Sequence, residues 1–272
     1  MGALCADRLG RRCWGRGSPT VMPRIDLGPV SLSTYMVCYG AALLIAAMMA
    51  LHRLVEGGID PRIALRLWIL TIWGGLLGSW VGYQMVFELA AVILTGSPAP
   101  LGRGTTVVGG VAGALLTAVL GCRFWRLELG RVVNLMVLPV PLGQAIGRLG
   151  CLAEGCCTGR PTTSWLGVEL ADANVLVFVR YPTQVMLVIA NLMIFAVLVF
   201  IDRSDARSVN TRSGHLAVIY LALFCATRLV LGFFREGTPV VFGLTWDQLV
   251  AGSVLVIGAA AFLLRQATHS PD

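Results

Sequence analysis

Seven stretches of this chain stay apolar for long enough to cross a membrane: residues 31–51, 65–92, 106–122, 132–150, 183–201, 214–234 and 245–264. A hydrocarbon layer of about 30 Å takes roughly 20 helical residues to span. No water reaches unpaired peptide groups there, so the stretches are expected to be helices, which satisfy their own N–H and C=O groups. Composition agrees: 13% of the 272 residues are charged, against about 25% in soluble domains. Seven spans leave no chain for a separate soluble domain. The expected fold is all-α, a polytopic membrane protein in which a bundle of about seven transmembrane helices over residues 31–265 surrounds a central polar loop or pocket. Residues 1–30 hold Arg8, Arg11, Arg12, Arg16 and Arg24 among Gly and Pro, with no apolar run long enough for a signal-peptide core. They are expected to form a disordered extension. Met22 offers an alternative start, which would make residues 1–21 dispensable. Residues 266–272 make a short tail.

The net charge of +7 comes from arginine alone, because all 21 basic residues are Arg. They are scattered through short loops rather than gathered in one stripe, which speaks against nucleic acid and for anionic lipid headgroups as the partner. Their distribution also suggests an orientation. Loops 52–66, 122–131 and 202–212 with the C-terminal end hold ten arginines, whereas loops 95–105, 151–182 and 235–244 hold four. Basic loops are retained in the cytoplasm, so the C-terminus is expected inside and the loop 151–182 outside. The five N-terminal arginines argue the other way unless that extension is absent.

The stretch from Pro141 to Thr162 is where function is expected to concentrate. It reads as the end of an apolar helix with Arg148 just inside that end, followed by a loop punctuated by Gly150, Gly155 and Gly159. An intramembrane arginine is costly and normally faces a cavity or a partner, and glycines let backbone approach a ligand closely. Arg228 lies within the sixth span and Arg235 follows seven residues later. Two helical turns separate them, so they are expected on one face, where paired guanidinium groups suit a phosphate. Gly74, Gly78 and Gly82 give the second span a small-residue face for close helix contact. Tyr35 and Tyr39 share a face of the first span, either as interfacial anchors or, for Tyr35, as a hydroxyl for a lipid headgroup. Cys151, Cys156 and Cys157 lack the two separated Cys-x-x-Cys pairs of a zinc ribbon. Packing, a disulfide and metal binding stay open for them, and no metal or cofactor is assigned. Glu154 either accepts a proton or pairs with an arginine, and Asp247 reads as a helix N-cap.

Gly147-Arg148-Leu149-Gly150, followed by Gly159-Arg160-Pro161, resembles the signature of the bacterial prolipoprotein diacylglyceryl transferases, Gly-Arg-Ile-Gly-Asn-Phe-x-Asn-Gly-Glu-x-x-Gly-Arg. Cys151 and Glu154 stand at its Asn positions and Cys156 at its Glu, as in a divergent Cys-containing branch. Pro182 and Gln184 match a family Pro-x-Gln, Tyr35 the tyrosine of Trp-Tyr-Gly, and Arg228 to Arg235 the pattern Arg-Phe-x-x-Glu-Phe-Phe-Arg, with Gly232 in place of the acid. Val108 and Tyr181 stand where members place histidines, and Trp80 where they place an arginine.

The resemblance implies transfer of a diacylglyceryl group from phosphatidylglycerol to the lipobox cysteine thiol of a prolipoprotein in the bacterial cytoplasmic (inner) membrane, with glycerol phosphate leaving. Arg148, Arg228 and Arg235 would be the catalytic residues, stabilising charge on the departing phosphate. Tyr35, Gly150, Cys151, Glu154, Gly159, Arg160 and Gln184 would bind the phospholipid and the signal-peptide segment that carries the lipobox. The replaced titratable groups keep a second reading in play, a non-catalytic or repurposed phospholipid-binding membrane paralogue with a different acceptor.

Overall fold

The computed structural model describes residues 24–27, 30–96, 106–171, 177–205, 214–237 and 243–268. The expectations for residues 1–23 and for the side chain of Val108 lie outside the described residues. Helices α1 (Thr34–Glu56), α2 (Pro61–Thr95), α3 (Val107–Phe124), α4 (Leu129–Val137), α5 (Pro139–Glu154), α6 (Thr183–Asp205), α7 (His215–Gly232) and α8 (Trp246–Thr268) account for all seven apolar stretches. α4 and α5 share one of them, Leu129–Glu154. The ladder is interrupted between them because Pro139 has no N–H to give. Among the described residues, five segments are long and apolar enough to cross a membrane, and residues 109–124 and 247–258 form shorter apolar helices. Large apolar side chains such as Met36, Trp73, Leu77, Leu116 and Phe200 stand exposed along them, as surfaces that face lipid require. The chain is a polytopic helical membrane protein.

Two expectations about boundaries are corrected. Part of the supposed disordered lead-in is ordered, since β1 (Arg24–Leu27) pairs antiparallel with β2 (Val30–Ser33), with Arg24 opposite Ser33 and Leu27 opposite Val30. The polar-loop reading of residues 150–154 also fails, because α5 runs on to Glu154. A second antiparallel pair, β3 (Val168–Ala171) with β4 (Val177–Arg180), lies in the connection before α6.

The chain divides into two compact units, residues 1–46 with 138–211 and 216–272, and residues 47–137 with 212–215. In the second unit, Asp60 caps α2 by accepting from the N–H groups of Arg62 (2.8 Å) and Ile63 (3.3 Å), with Pro61 at the first helical position. Leu54, Ala64, Leu67, Cys122 and Val132 form its core. The glycine face expected on the second span meets a glycine face on α3. A Cβ on Gly78 would lie 2.4 Å from the Gly109 carbonyl oxygen, and one on Gly113 would lie 2.2 Å from that of Gly74. The two backbones therefore touch, and no larger residue fits between them. The first unit, which holds every sequence-predicted site residue, has a similar contact. A Cβ on Gly150 would come within 3.0 Å of the Cys38 Cβ, so Gly150 seats α5 against the first turns of α1.

The α2–α3 seam yields a direct test. Gly78→Leu is expected to destabilise the detergent-solubilised protein by about 1–3 kcal/mol, the usual cost of overpacking, measured by thermal unfolding. Gly40→Ala, where a Cβ meets nothing within 4 Å, is expected not to destabilise it.

Candidate active site

α5 supplies Arg148, Cys151 and Glu154 at three-residue spacing, so their side chains follow one another along neighbouring turns of one face. The helix stops at Gly155, whose φ of 68° only glycine adopts without strain. The Gly155 N–H bonds to the Leu152 carbonyl (3.2 Å) and the Cys156 N–H to the Cys151 carbonyl (3.1 Å), the two crossed bonds of a Schellman motif. This reversal folds Cys156 and Cys157 back onto Cys151. All three thiols are free, and their Sγ atoms lie within 4.8 Å of one another. The turn is held from α6, where the Thr183 hydroxyl donates to the Cys157 carbonyl (2.9 Å) and Gln184 Nε2 donates to the Cys156 carbonyl (2.9 Å). Cys157 itself is held at φ 58°, an uncommon conformation for a residue with a side chain.

Beyond the turn, three backbone segments cross at Gly159. Its N–H donates to the Tyr181 carbonyl (3.1 Å), and the Arg160 N–H donates to the Phe234 carbonyl (3.0 Å). Gly159 and Arg235 face each other as a β-bridge. A Cβ on Gly159 would lie 2.5 Å from the Tyr181 oxygen and 2.7 Å from the Phe234 oxygen. Gly159 is needed for this crossing, and the crossing brings the segment after α7 to the end of α5. Arg180 reinforces it. It is 9% exposed, donates to the Gly159 carbonyl at 3.3 Å, pairs with Glu236, and lies over the Phe178 ring. Sequence reasoning missed Arg180, and the only signal was an arginine beside Tyr181-Pro182 with an acid following Arg235.

Arg228 and Arg235 do not share a helical face, because α7 ends at Gly232 and Arg235 lies three residues past that end. They nevertheless line one cavity of about 80 Å³, together with Leu231, Gly232, Glu236 and Asp247. A single water needs about 10–15 Å³ of such space, so the cavity has room for several waters, enough for a headgroup-sized anion and not for a whole lipid. Arg228 lies 5.0 Å from the centre of the Phe224 ring, and it interacts electrostatically with Arg148, Arg235 and Asp247. Arg235 donates to Asp247 at 3.1 Å. Asp247 is therefore an ion-pair partner within the first turn of α8. The Gln248 side chain accepts from the Thr245 N–H at 3.0 Å and from the Thr245 hydroxyl at 3.2 Å, which ties the residue before α8 to its first turn. Gln248 also fills the space beside Gly232, where a Cβ would come within 2.5 Å of its Cγ. The acid that the family pattern carries at this position would have to displace it.

The remaining sequence candidates divide between the site and its frame. Tyr35 lies within electrostatic range of Cys151, Cys156 and Cys157, and its ring stacks on Tyr39 at 5.9 Å. The described partner of Glu154 is the Ser33 hydroxyl, which donates at 3.3 Å, rather than an arginine. Gly150, Gly159 and Gln184 serve packing and backbone bonding, and the Arg160 side chain is exposed. Tyr181 packs edge-on against Phe234. The described histidines belong to the other unit, where His52 pairs with Glu56 and His215 contacts Asn134. Hydrogen bonding with the Cys151 thiol, and after it the charges of Arg148 and Arg235, draw the Cys157 thiol well below the ordinary thiol range, although burial opposes them. Burial, with the neighbouring Cys157, pushes the Cys156 thiol up.

Comparison with known proteins gives the family. Residues 23–264 match the family model described as prolipoprotein diacylglyceryl transferase. A phosphatidylglycerol–prolipoprotein diacylglyceryl transferase of Dehalococcoides mccartyi is 32% identical over 170 residues, 61% of this chain and 63% of that protein. The enzyme of the same name from Clostridium tetani is 26% identical over 235 residues, 82% of this chain and 91% of its own. One from a Wolbachia of Brugia malayi is 28% identical over 243 residues, 85% and 88%. Against the Dehalococcoides relatives the chain spans 62% to 63% of their length. With nearly all of its described residues inside the family match, the chain belongs to the prolipoprotein diacylglyceryl transferase family.

Proposed function

We propose that this chain transfers a diacylglyceryl group from phosphatidylglycerol to the lipobox cysteine thiol of a prolipoprotein, in the bacterial cytoplasmic membrane and with its C-terminus inside. The observation that carries the reading is the gathering of Arg148, Arg228 and Arg235 into one electrostatic group beside a headgroup-sized cavity. The names of the relatives give phosphatidylglycerol and prolipoprotein as what those proteins act on. In the transfer, the acceptor sulfur bonds to a glyceryl carbon while that carbon's bond to a phosphate oxygen breaks. The electron pair departs on glycerol phosphate. Negative charge then grows on the phosphate oxygens, and guanidinium groups already in place stabilise it without reorganising. Arg228 and Arg235 line the cavity that would take the phosphate, and the charge of Arg148 acts both on Arg228 and on the thiols.

The decisive experiment follows labelled diacylglycerol from phosphatidylglycerol to a lipobox peptide. Wild-type protein is expected to transfer it, and Arg228→Ala to lower kcat by about 10²–10³, the usual cost of losing one charge-stabilising donor. Arg228→Lys should recover only part of this, because lysine cannot offer two parallel hydrogen bonds. Folded wild-type protein that binds the lipid without transferring it would move the assignment to a phospholipid-binding paralogue with another acceptor.

Asp247 competes with an incoming phosphate for Arg235, and its side chain is 64% exposed. Exposed ion pairs contribute about 0.2–1 kcal/mol. Asp247→Asn is therefore expected to tighten binding of glycerol phosphate by no more than about fivefold, read by calorimetric titration. Weaker binding in this variant would instead make Asp247 a residue that positions Arg235.

A further inference from the structure

The turn after α5 concentrates three thiols beside the arginines of the proposed reaction. Among the described residues of this unit there is no histidine, Glu154 accepts from Ser33, and the carboxylates of Glu236 and Asp247 pair with Arg180 and Arg235. The acceptor thiol still has to ionise before it can attack carbon, since the thiolate is the nucleophile. Meanwhile Cys151, Cys156 and Cys157 bring their Sγ atoms within 4.8 Å of one another without forming a disulfide.

We propose that Cys151, Cys156 and Cys157 form a three-sulfur zinc site whose fourth position receives the acceptor's cysteine thiol and ionises it for attack. The proposal rests on the transferase reading for the identity of that acceptor. Zn–S bonds of about 2.3 Å in a tetrahedral site set sulfur atoms about 3.8 Å apart, a spacing about 1 Å inside the 4.8 Å limit of the observed group. Zinc sites with three protein ligands keep the fourth position for substrate, and a thiol that coordinates zinc is deprotonated outright. Copper(I) also favours thiolates, but three sulfurs would satisfy it and leave no place for the acceptor.

The frame around the turn is that of a held ligand set. Cys151 stands on the last turn of α5, while the other two ride on a backbone whose carbonyls are fixed by Gln184 and Thr183. Cys157 is kept at φ 58° to turn its side chain inward toward the others, which is where a strained conformation has a use. Cys157 is exposed, so one side of the group is open to an incoming thiol. Three thiolates and one Zn²⁺ carry a net charge of −1, and the positive charge of Arg148 acts on both Cys151 and Cys157. Because Arg148 and Arg235 also interact with Arg228 at the phosphate cavity, the nucleophile and the leaving group would be held side by side.

The step balances. The acceptor S–H binds zinc and gives its proton to water. The zinc-bound sulfur then forms the S–C bond to the glyceryl carbon, and the C–O bond breaks with its electron pair leaving on the phosphate. The thioether product is a poorer ligand than a thiolate and is released.

The test uses the full chain in lipid nanodiscs, equilibrated with zinc and dialysed, then with cobalt(II) as a spectroscopic substitute. One equivalent of zinc is expected, with affinity reduced in Cys151→Ser and Cys157→Ser by more than the roughly 10–100-fold that loss of an outer ligand partner costs. An unchanged thermal unfolding midpoint of the metal-free protein certifies that the variants are folded. The cobalt spectrum should show sulfur charge-transfer bands that change when a peptide containing a lipobox cysteine is added, and stay unchanged with the serine peptide. No stoichiometric zinc, zinc binding indifferent to the serine variants, or a spectrum that ignores the thiol peptide would each overturn the proposal. So would undiminished transfer by metal-stripped protein, which leaves the transferase reading intact. Absence of transfer at full zinc loading, with lipid and peptide bound, would instead overturn the transferase reading and with it the role given to the metal.

Discussion

Arg148, Arg228 and Arg235 carry like charges that act on one another within a single unit of a membrane protein. Each would be costly alone in such a setting, and together they repel. Everything near them tempers that repulsion. Asp247 takes a hydrogen bond from Arg235, the Phe224 ring lies against the Arg228 guanidinium, and the cysteine turn stands within reach of Arg148. None of these cancels three full charges. On the proposed reading, the positive charge left over suits an anion, and a phosphate that gains charge during reaction gains most from it.

Holding the arginines together is a backbone problem before it is a side-chain one. Arg148 lies in the last two turns of one helix and Arg235 follows the end of another, and residues 159–160, 181 and 234–235, which join those two helix ends, cross with backbone hydrogen bonds at a glycine that admits no Cβ. Arg180 ties the crossing by bridging the Gly159 carbonyl and Glu236. The same strategy recurs in the other unit, where Gly74, Gly78, Gly109 and Gly113 let α2 and α3 meet backbone to backbone. Lipid supplies no hydrophobic drive to press helices together. Close approach through glycine supplies contact that larger side chains would prevent.

Much of the fold was legible because spanning a membrane leaves a long, simple signal. All seven apolar stretches are helical, and the glycine face of the second span found a glycine partner. The errors have local causes. Gly150 read as a loop residue because glycine disfavours helix interiors by about 1 kcal/mol, a cost that packing against Tyr35 and Cys38 outweighs. Arg235 was put on the same helical face as Arg228 because nothing in a spacing of seven announces that α7 stops at Gly232. The cysteine group was opaque for a related reason. Positions 151, 156 and 157 match no helical or ribbon spacing, and they converge only because the Schellman turn at Gly155 reverses the chain. Arg180 gave only a faint signal, since its importance depends on a carbonyl at 159 and an acid at 236.

The central claim is that three arginines distant in sequence hold one lipid phosphate. Solid-state magnetic resonance of the protein with isotope-labelled arginine, in bilayers of phosphatidylglycerol, reads it directly as dephasing of guanidinium nitrogens by lipid phosphorus. Three strongly dephased sites at hydrogen-bonding range, each removed by one of Arg148→Lys, Arg228→Lys and Arg235→Lys, is the predicted result. Dephasing that survives all three variants, and so arises from arginines elsewhere such as Arg123 and Arg126, would contradict it.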